Sequence, residues 1–360
     1  MSTNNPTIST ATSEADLVAA RHGDADAFAR LAAIHRRALH AHCYRMLGSL
    51  QDAEDALQET LLAAWRGLPA FEGRSSLRTW LYRIATHACL RLGQHRPHRW
   101  LSSDRTPAWS DVHDLGEFVE LDPTWVEPYP GPTGDDPADR FQRRENVELA
   151  FVAALQQLPA NQRAVLILRD VLQFSATEVA DALDTTVASV NSALQRAHQS
   201  VDRRIIAGTQ DDELRRLGID GQRELVATFV AAWERADVHA LLDLLTEDVR
   251  FTMPPFPAWF LGHDAVGRFL SQRTSLSEWR VRPITANGQL AAAFYQREPG
   301  RGPFPLTVVS VLSLRDGRIA EMHSFLDSAV HRWFGLPDEL IEPVDEVDAV
   351  ADPTPRDEFS

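Results

Sequence analysis

Six arginines between residues 71 and 100, Arg74, Arg78, Arg83, Arg91, Arg96 and Arg99, are interleaved with Phe71, Tyr82 and Trp100, and Glu72 is the single acid among them. Guanidinium groups hold phosphates and aromatic rings stack on unpaired bases, so this composition suits a surface that grips a nucleic-acid strand; a solvated basic face is the alternative. Just upstream, "DALQETLLAAW" carries the opposite charge. Leu57, Leu61, Ala64, Trp65 and Leu68 recur at spacings of three and four, while Asp52, Asp55 and Glu59 hold another side. One face needs a core, and the acidic one is either solvated or a docking face. Other reactive groups are less suited to chemistry. His35, His40, His42 and Cys43 share a helix without the i, i+4 pairing of metal ligands, so no metal and no cofactor is expected. His323 and Asp327 lie too far apart along a strand for a direct acid–base dyad, so no catalytic residue is assigned.

The elements that position these groups follow from the rest of the 360 residues, a length for two or three domains. No apolar run is long enough to span a bilayer, the first residues lack signal-peptide character, and two cysteines, Cys43 and Cys89, fit a reducing compartment. A cytoplasmic protein with no membrane contact is expected. The net charge of −15 seems to exclude nucleic acid, but it is unevenly spread. Residues 101–140 hold ten acids against Arg105 and Arg140, and residues 335–360 hold nine against Arg356, so the remainder is close to neutral.

Helical periodicity runs over 14–100, breaks in the acidic Pro-rich segment 101–140, and resumes over 141–207. In "FSATEVADALDTTVASVNSALQRAHQSV", Ser175 and Glu178 form a capping box that opens one helix. A turn at Asp184-Thr185 leads to a second, with Val187, Val190, Leu194, Ala197, Val201 and Ile205 as its seam. Two helices joined by a tight turn form a helix-turn-helix, whose second helix would offer Ser189, Asn191, Ser192, Gln195 and Arg196 to base edges; a plain helical hairpin is the alternative. The preceding helix, with Pro159 at its start, would lay Arg163 and Arg169 along a phosphate backbone.

These two blocks, "DAEDALQETLLAAWRGLPAFEGRSSLRTWLYRIATHACLR" and "LQQLPANQRAVLILRDVLQFSATEVADALDTTVASVNSALQRA", resemble regions 2 and 4 of a bacterial extracytoplasmic-function (ECF) sigma factor over residues 14–205. The resemblance implies that Asp52, Asp55 and Glu59 dock on core RNA polymerase, with charge complementarity setting on-rate and register. It implies that Arg91, His95, Arg96, Arg99 and Trp100 hold a flipped base of the −10 promoter element, and that the helix from Val187 reads the −35 element together with Arg163. Asn191 and Ala193 stand where relatives often carry a basic residue, which implies weaker and less salt-dependent binding by that domain.

Within the linker, "DPTWVEPYPG" sets Trp125 and Tyr129 between prolines, favouring a semi-rigid docking strip over solvated chain. After residue 220 the pattern becomes a helix followed by strands, with Asn287-Gly288 and Asp316-Gly317 as hairpin turns. Residues 220–335 resemble the SnoaL-like cone fold, α+β, and Met253, Trp259, Phe294, Tyr295, His323 and Phe325 are the candidate lining of a pocket for a small-molecule ligand. Residues 336–360 form an acidic tail. The expectation is therefore two all-α domains plus an α+β domain, a promoter-specificity factor whose C-terminal domain regulates it. A stand-alone helix-turn-helix regulator, or a ligand-binding or enzymatic cone fused to a DNA-binding module, remains open.

Overall fold

The computed structural model describes residues 6–113, 115, 125–131, 148–201, 210–300 and 302–341, with side chains from residue 14. Four helices open the chain: α1 (Pro6–Arg21), α2 (Ala25–Leu47), α3 (Leu50–Gly67) and α4 (Leu77–Gly93). Asp24, Ser49 and Ser76 cap α2, α3 and α4 by accepting from the backbone N–H three residues on. The apolar stripe of α3 is used as its spacing requires, with Leu57, Ala64 and Leu68 buried. Trp80 packs on Phe71, ring centroids 5.0 Å apart, so it is a core residue. After a single turn, α5 (Ser102–Arg105), residues 106–113 run as a strap without regular secondary structure.

The second helical unit comprises α6 (Leu149–Gln156), α7 (Ala160–Leu166), α8 (Ala176–Ala182) and α9 (Val187–Val201). The Ser175–Glu178 capping box is formed in both directions, and Asp184 takes φ 49° in the turn. Val190, Ala197 and Val201 are buried along α9, while Ile205 lies outside the described residues.

The last unit is a curved sheet cradled by helices: α10 (Gln210–Glu234), broken at Gly218, α11 (Val238–Asp243), α12 (Gly262–Arg273) and α13 (Ser328–His331). Its strands are β1 (Leu245–Thr252), β2 (Trp259–Leu261), β3 (Glu278–Ala286), β4 (Gln289–Arg297), β5 (Phe304–Arg315), β6 (Arg318–Phe325) and β7 (Glu339–Leu340). The order is β2-β1-β6-β5-β4-β3, with β7 on β5; β1 and β6 are parallel and the other pairs antiparallel. Asn287-Gly288 and Asp316-Gly317 make the β3–β4 and β5–β6 turns with both φ values positive, the type I′ geometry those pairs favour.

The two sheet faces do different work. The concave face, with Phe251, Phe294, Leu312 and Met322, closes a core with Phe229, Trp233 and Phe269 from the helices. The convex face, with Ala291, Val309, Val311 and Phe325, joins one continuous core with α2, α3, α6 and α7. All three units are therefore packed together.

Candidate nucleic-acid interface

On α9 the expected reading face is open. Ser189, Asn191, Ser192, Gln195 and Arg196 are exposed, opposite the buried seam. Arg163 is not part of that surface. It is 8% exposed and its guanidinium donates to the carbonyls of Leu155, Met46, Gln156 and Leu158 and to Oε1 of Gln156. Burial pulls its pKa down to about 10. Its carbonyl cradle, built by the ends of α2 and α6, makes it an internal clamp, which corrects the phosphate role expected for it. Arg169 is likewise turned to the carbonyl of Phe174.

The acidic and basic stripes meet each other. Arg99 Nη2 lies 2.7 Å from Asp52, Arg96 Nε lies 3.1 Å from Asp52 and its Nη2 3.9 Å from Asp55, and Arg91 pairs with Glu59. The two expected contact surfaces thus neutralise one another within the chain. The pairs differ in depth: Asp52 and Arg99 side chains are 5% and 4% exposed, whereas Glu59, Arg91 and Arg96 stay open to solvent and Asp55 is half-buried. Two assignments change accordingly. Asp52 is not available to a protein partner in this arrangement, and Arg99 is not available to DNA. His95 is exposed, and half-buried Trp100 forms a parallel bridge with Trp125.

That bridge begins the docking strip read from "DPTWVEPYPG". Val126 N–H donates to Trp100 O, Glu127 N–H to Gly48 O, and Leu50 N–H to the Glu127 carboxylate at 2.6 Å. Arg99 Nη1 approaches Glu127 at 3.4 Å. Burial pushes the Glu127 carboxyl pKa up, against the pull of Arg99 and the Leu50 N–H. Tyr129 and Asn287 exchange bonds: Tyr129 N–H donates to Asn287 Oδ1 and Asn287 N–H to Tyr129 O, both at 2.8 Å. Asn287 Nδ2 also donates to the Tyr44 hydroxyl at 3.1 Å, and Tyr44 donates to Glu127 O at 2.6 Å. A hairpin-turn asparagine, 1% exposed, thereby clasps the strip and α2 to the sheet. Turn chemistry accounts for an asparagine there, so its spacing carried no signal of the clasp.

The first helical unit is also tied to the second. Arg83 pairs with Asp184 at 2.8 Å, and His87 Nε2 lies 2.8 Å from the carbonyl of Ala182. The Arg78 guanidinium covers the Phe174 ring at 4.8 Å.

The candidate pocket is partly redrawn. Met253 and Phe294 line a concave-face cavity of about 310 Å³. Tyr295 follows Phe294 on β4 and so points to the other face, where it clusters with Ala293 and Phe304. His323 and Phe325 take the convex face by the same alternation. His323 Nδ1 is 2.9 Å from Thr252 Oγ1 and its Nε2 3.1 Å from Glu321, while Phe325 enters the interdomain core. Asp327 accepts from Ala329 N–H and caps α13. Trp259 binds the strap, its Nε1 donating to Thr106 O at 2.8 Å.

This geometry coincides with what comparisons with known proteins find. Family models match in chain order: "Sigma-70 region 2" over 31–100, "Sigma-70, region 4" over 148–200 and "SnoaL-like domain" over 226–322. The chain is 43% identical over 313 residues to the ECF RNA polymerase sigma factor SigG of Mycobacterium tuberculosis (strain H37Rv), covering 85% of this chain and 83% of that protein. It is 25% identical over 186 residues to the ECF sigma factor SigW of Bacillus subtilis, covering 51% of this chain and 92% of that one. The crystal structure of the M. tuberculosis factor SigJ superposes with a TM-score of 0.55 at 21% identity, over 83% of this chain and 96% of that one, a likeness of fold. Among the described residues no helix is long and apolar enough to cross a membrane. With regions 2 and 4 in order and a cone packed on both, the chain belongs to the ECF RNA polymerase sigma factors, in a form that carries a C-terminal SnoaL-like domain.

Proposed function

We propose that this chain docks on core RNA polymerase, reads −35 and −10 promoter elements and assists strand opening, and that its cone domain holds it in a resting arrangement. It does so by binding and without covalent chemistry: the free energy of melting comes from holding the separated strand better than the duplex. Asp55 and Glu59 are the polymerase-facing acids that remain accessible. Arg91, His95, Arg96 and Trp100 serve the −10 strand, and Ser189, Asn191, Ser192, Gln195 and Arg196 serve the −35 duplex. Arg96 and Arg91 leave the acids when DNA and polymerase take over, so both surfaces are exposed together.

The observation that carries the regulatory reading is the Arg83–Asp184 pair at 2.8 Å. Elements centred 25 base pairs apart are separated by roughly 85 Å at about 3.4 Å per pair. Two units in salt-bridge contact do not reach both, so the chain opens to function. The Tyr129–Asn287 clasp and the shared core on the convex sheet face oppose that opening. Among the described lining residues of the cavity there is no carboxylate and no histidine, which supports a binding role for the cone over an enzymatic one.

The test is co-purification with core polymerase. Charge reversal at Asp55 and Glu59 together abolishes polymerase binding while promoter-fragment binding by α9 survives. Retained polymerase binding refutes the docking assignment, and DNA binding as a symmetric dimer without polymerase supports a stand-alone regulator instead.

A further inference from the structure

The second half of α10, after the break at Gly218, presents two apolar faces. Leu225, Phe229, Ala232 and Trp233 bury one of them in the cone core. Ile219, Gln222, Arg223 and Val226 recur at spacings of three and four on another, where a helix face turned to water is ordinarily polar. Ile219 is 68% exposed. That face is one wall of a groove of about 750 Å³, and Ile284 of β3 and Leu336, beyond α13, are others.

A groove of this kind takes a peptide either as an added strand or by its side chains, and the edge of β3 decides between the two. Along that edge Val281 N–H donates to the Glu234 carboxylate at 3.0 Å, Pro283 has no N–H to give, and Thr285 O accepts from Gly131 N–H at 2.9 Å. The edge is therefore a poor template for another strand. Side chains spaced for one helix face are what the groove accepts.

Its electrostatics favour an acidic occupant. Among the described lining residues Arg223 carries charge and none is acidic. Arg223 pairs at 3.5 Å with Asp220, itself fully exposed, so the guanidinium stays accessible. Arg282 is exposed and shares a face of β3 with Ile284.

The chain carries a segment of this description. Residues 342–360, outside the described structure, hold seven acids against Arg356, and Val344, Val347 and Val350 recur at intervals of three between Pro343 and Pro353. The last described residues bring that segment to the groove. Leu340 packs against the Tyr295–Phe304 cluster together with Ile284 and Leu336, two of the groove walls, and exposed Ile341 follows it. Three more residues, about 10 Å of extended chain, lead to Val344.

We infer that the acidic tail docks in this groove, with Val344, Val347 and Val350 against Ile219, Val226 and Ile284 and its carboxylates towards Arg223 and Arg282. The docked tail covers Pro130 and Gly131, which also line the groove, and so holds the end of the docking strip on β3. That consequence rests on the regulatory reading above, whereas the docking does not.

The probe is a fluorescent synthetic peptide of residues 342–360, titrated by anisotropy into the full chain and into the full chain carrying Val344→Asp and Val347→Asp. A tethered tail meets the groove at an effective concentration on the order of millimolar, so a peptide of about 100 μM affinity faces roughly tenfold competition from it. The unsubstituted chain therefore binds the peptide about tenfold more weakly than the doubly substituted one. Adding Ile219→Asp to the latter weakens the peptide at least tenfold; should that variant fail to fold, Arg223→Glu weakens it in the same direction and reduces its salt dependence. Equal binding by the two tail forms, or binding by neither, overturns the tail as occupant. Binding unchanged by both groove substitutions overturns the groove. Dimers of the full chain in sedimentation that Val344→Asp and Val347→Asp dissolve place the tail on a second copy and overturn docking within one chain. None of these readouts involves polymerase or DNA, so their failure is distinct from failure of the transcriptional reading.

Discussion

Replacing Asp52 by Asn separates an internal role from an interfacial one. Asp52 and Arg99 are almost wholly buried and 2.7 Å apart, and Arg99 also meets Glu127 at 3.4 Å and the Trp125 carbonyl at 3.3 Å. At an effective dielectric near 20, opposite charges about 4 Å apart attract by roughly 4 kcal/mol. Removing one partner of a buried pair typically destabilises by about 3–5 kcal/mol. Glu127 retains part of the attraction, so about 3 kcal/mol is expected. Glu59→Gln removes a solvent-exposed pair and should change stability by less than about 1 kcal/mol. Urea unfolding of Asp52→Asn, Arg99→Gln and the double variant measures the coupling, expected at about 2 kcal/mol or more. If Asp52→Asn unfolds at the same urea concentration as Glu59→Gln, or the two single effects simply add, then Asp52 is a surface acid and the internal pairing is wrong.

Other outcomes follow from the same contacts. His42 is buried at 2.9 Å from Thr86 Oγ1, and burial lowers its pKa to about 3. Below its unfolded value near 6.5 the unfolded chain takes up a proton that the folded chain refuses, so stability falls by about 1.4 kcal/mol per pH unit from 6.5 towards 3. His42→Gln should make that acid limb shallower, measured as unfolding free energy against pH. Glu127 runs the other way: its raised pKa means that stability falls as pH rises from about 4.5 through the folded value, and Glu127→Gln should remove this component. Asn287→Gly keeps the positive-φ turn and the backbone bond to Tyr129 O while deleting the side-chain bonds to Tyr129 N–H and Tyr44, so exchange at 125–131 should accelerate by one to two orders of magnitude, equivalent to about 1–3 kcal/mol. Arg196→Ala should weaken promoter binding and lower its salt dependence without altering stability, whereas Arg163→Ala should destabilise by 3 kcal/mol or more by leaving its carbonyl cradle empty.

The parts legible in the sequence were those set by local rules. The Ser175–Glu178 box, the α9 seam from Val190 to Val201 and the Asn287-Gly288 and Asp316-Gly317 turns depend on neighbours within a few residues and appear where their spacing placed them, whereas Val187, expected in that seam, is exposed. The exposed face of α9 follows from the same periodicity. What depended on partners far along the chain was not legible. Asp52 is buried because Arg99, 47 residues on, meets it; Arg163 is buried because the ends of α2 and α6 turn carbonyls towards it. Tyr295 cannot line the same cavity as Phe294, because the two are adjacent on one strand and point to opposite faces. The strap against the cone had no local signature, since Trp109 and Val112 sit in an acidic segment whose composition suggests solvated chain. Residues 132–147, most of the acidic tail and Ile205 lie outside the described structure.

The central claim is tested most directly by run-off transcription on fragmented genomic DNA, read by sequencing, with core RNA polymerase alone, with the full chain, and with its Asn287→Gly form. Transcript starts that appear only with the chain and share a −35 and a −10 motif, and that increase when the clasp is cut, are the predicted result. No new starts from either form, where a control factor gives them, would contradict the claim.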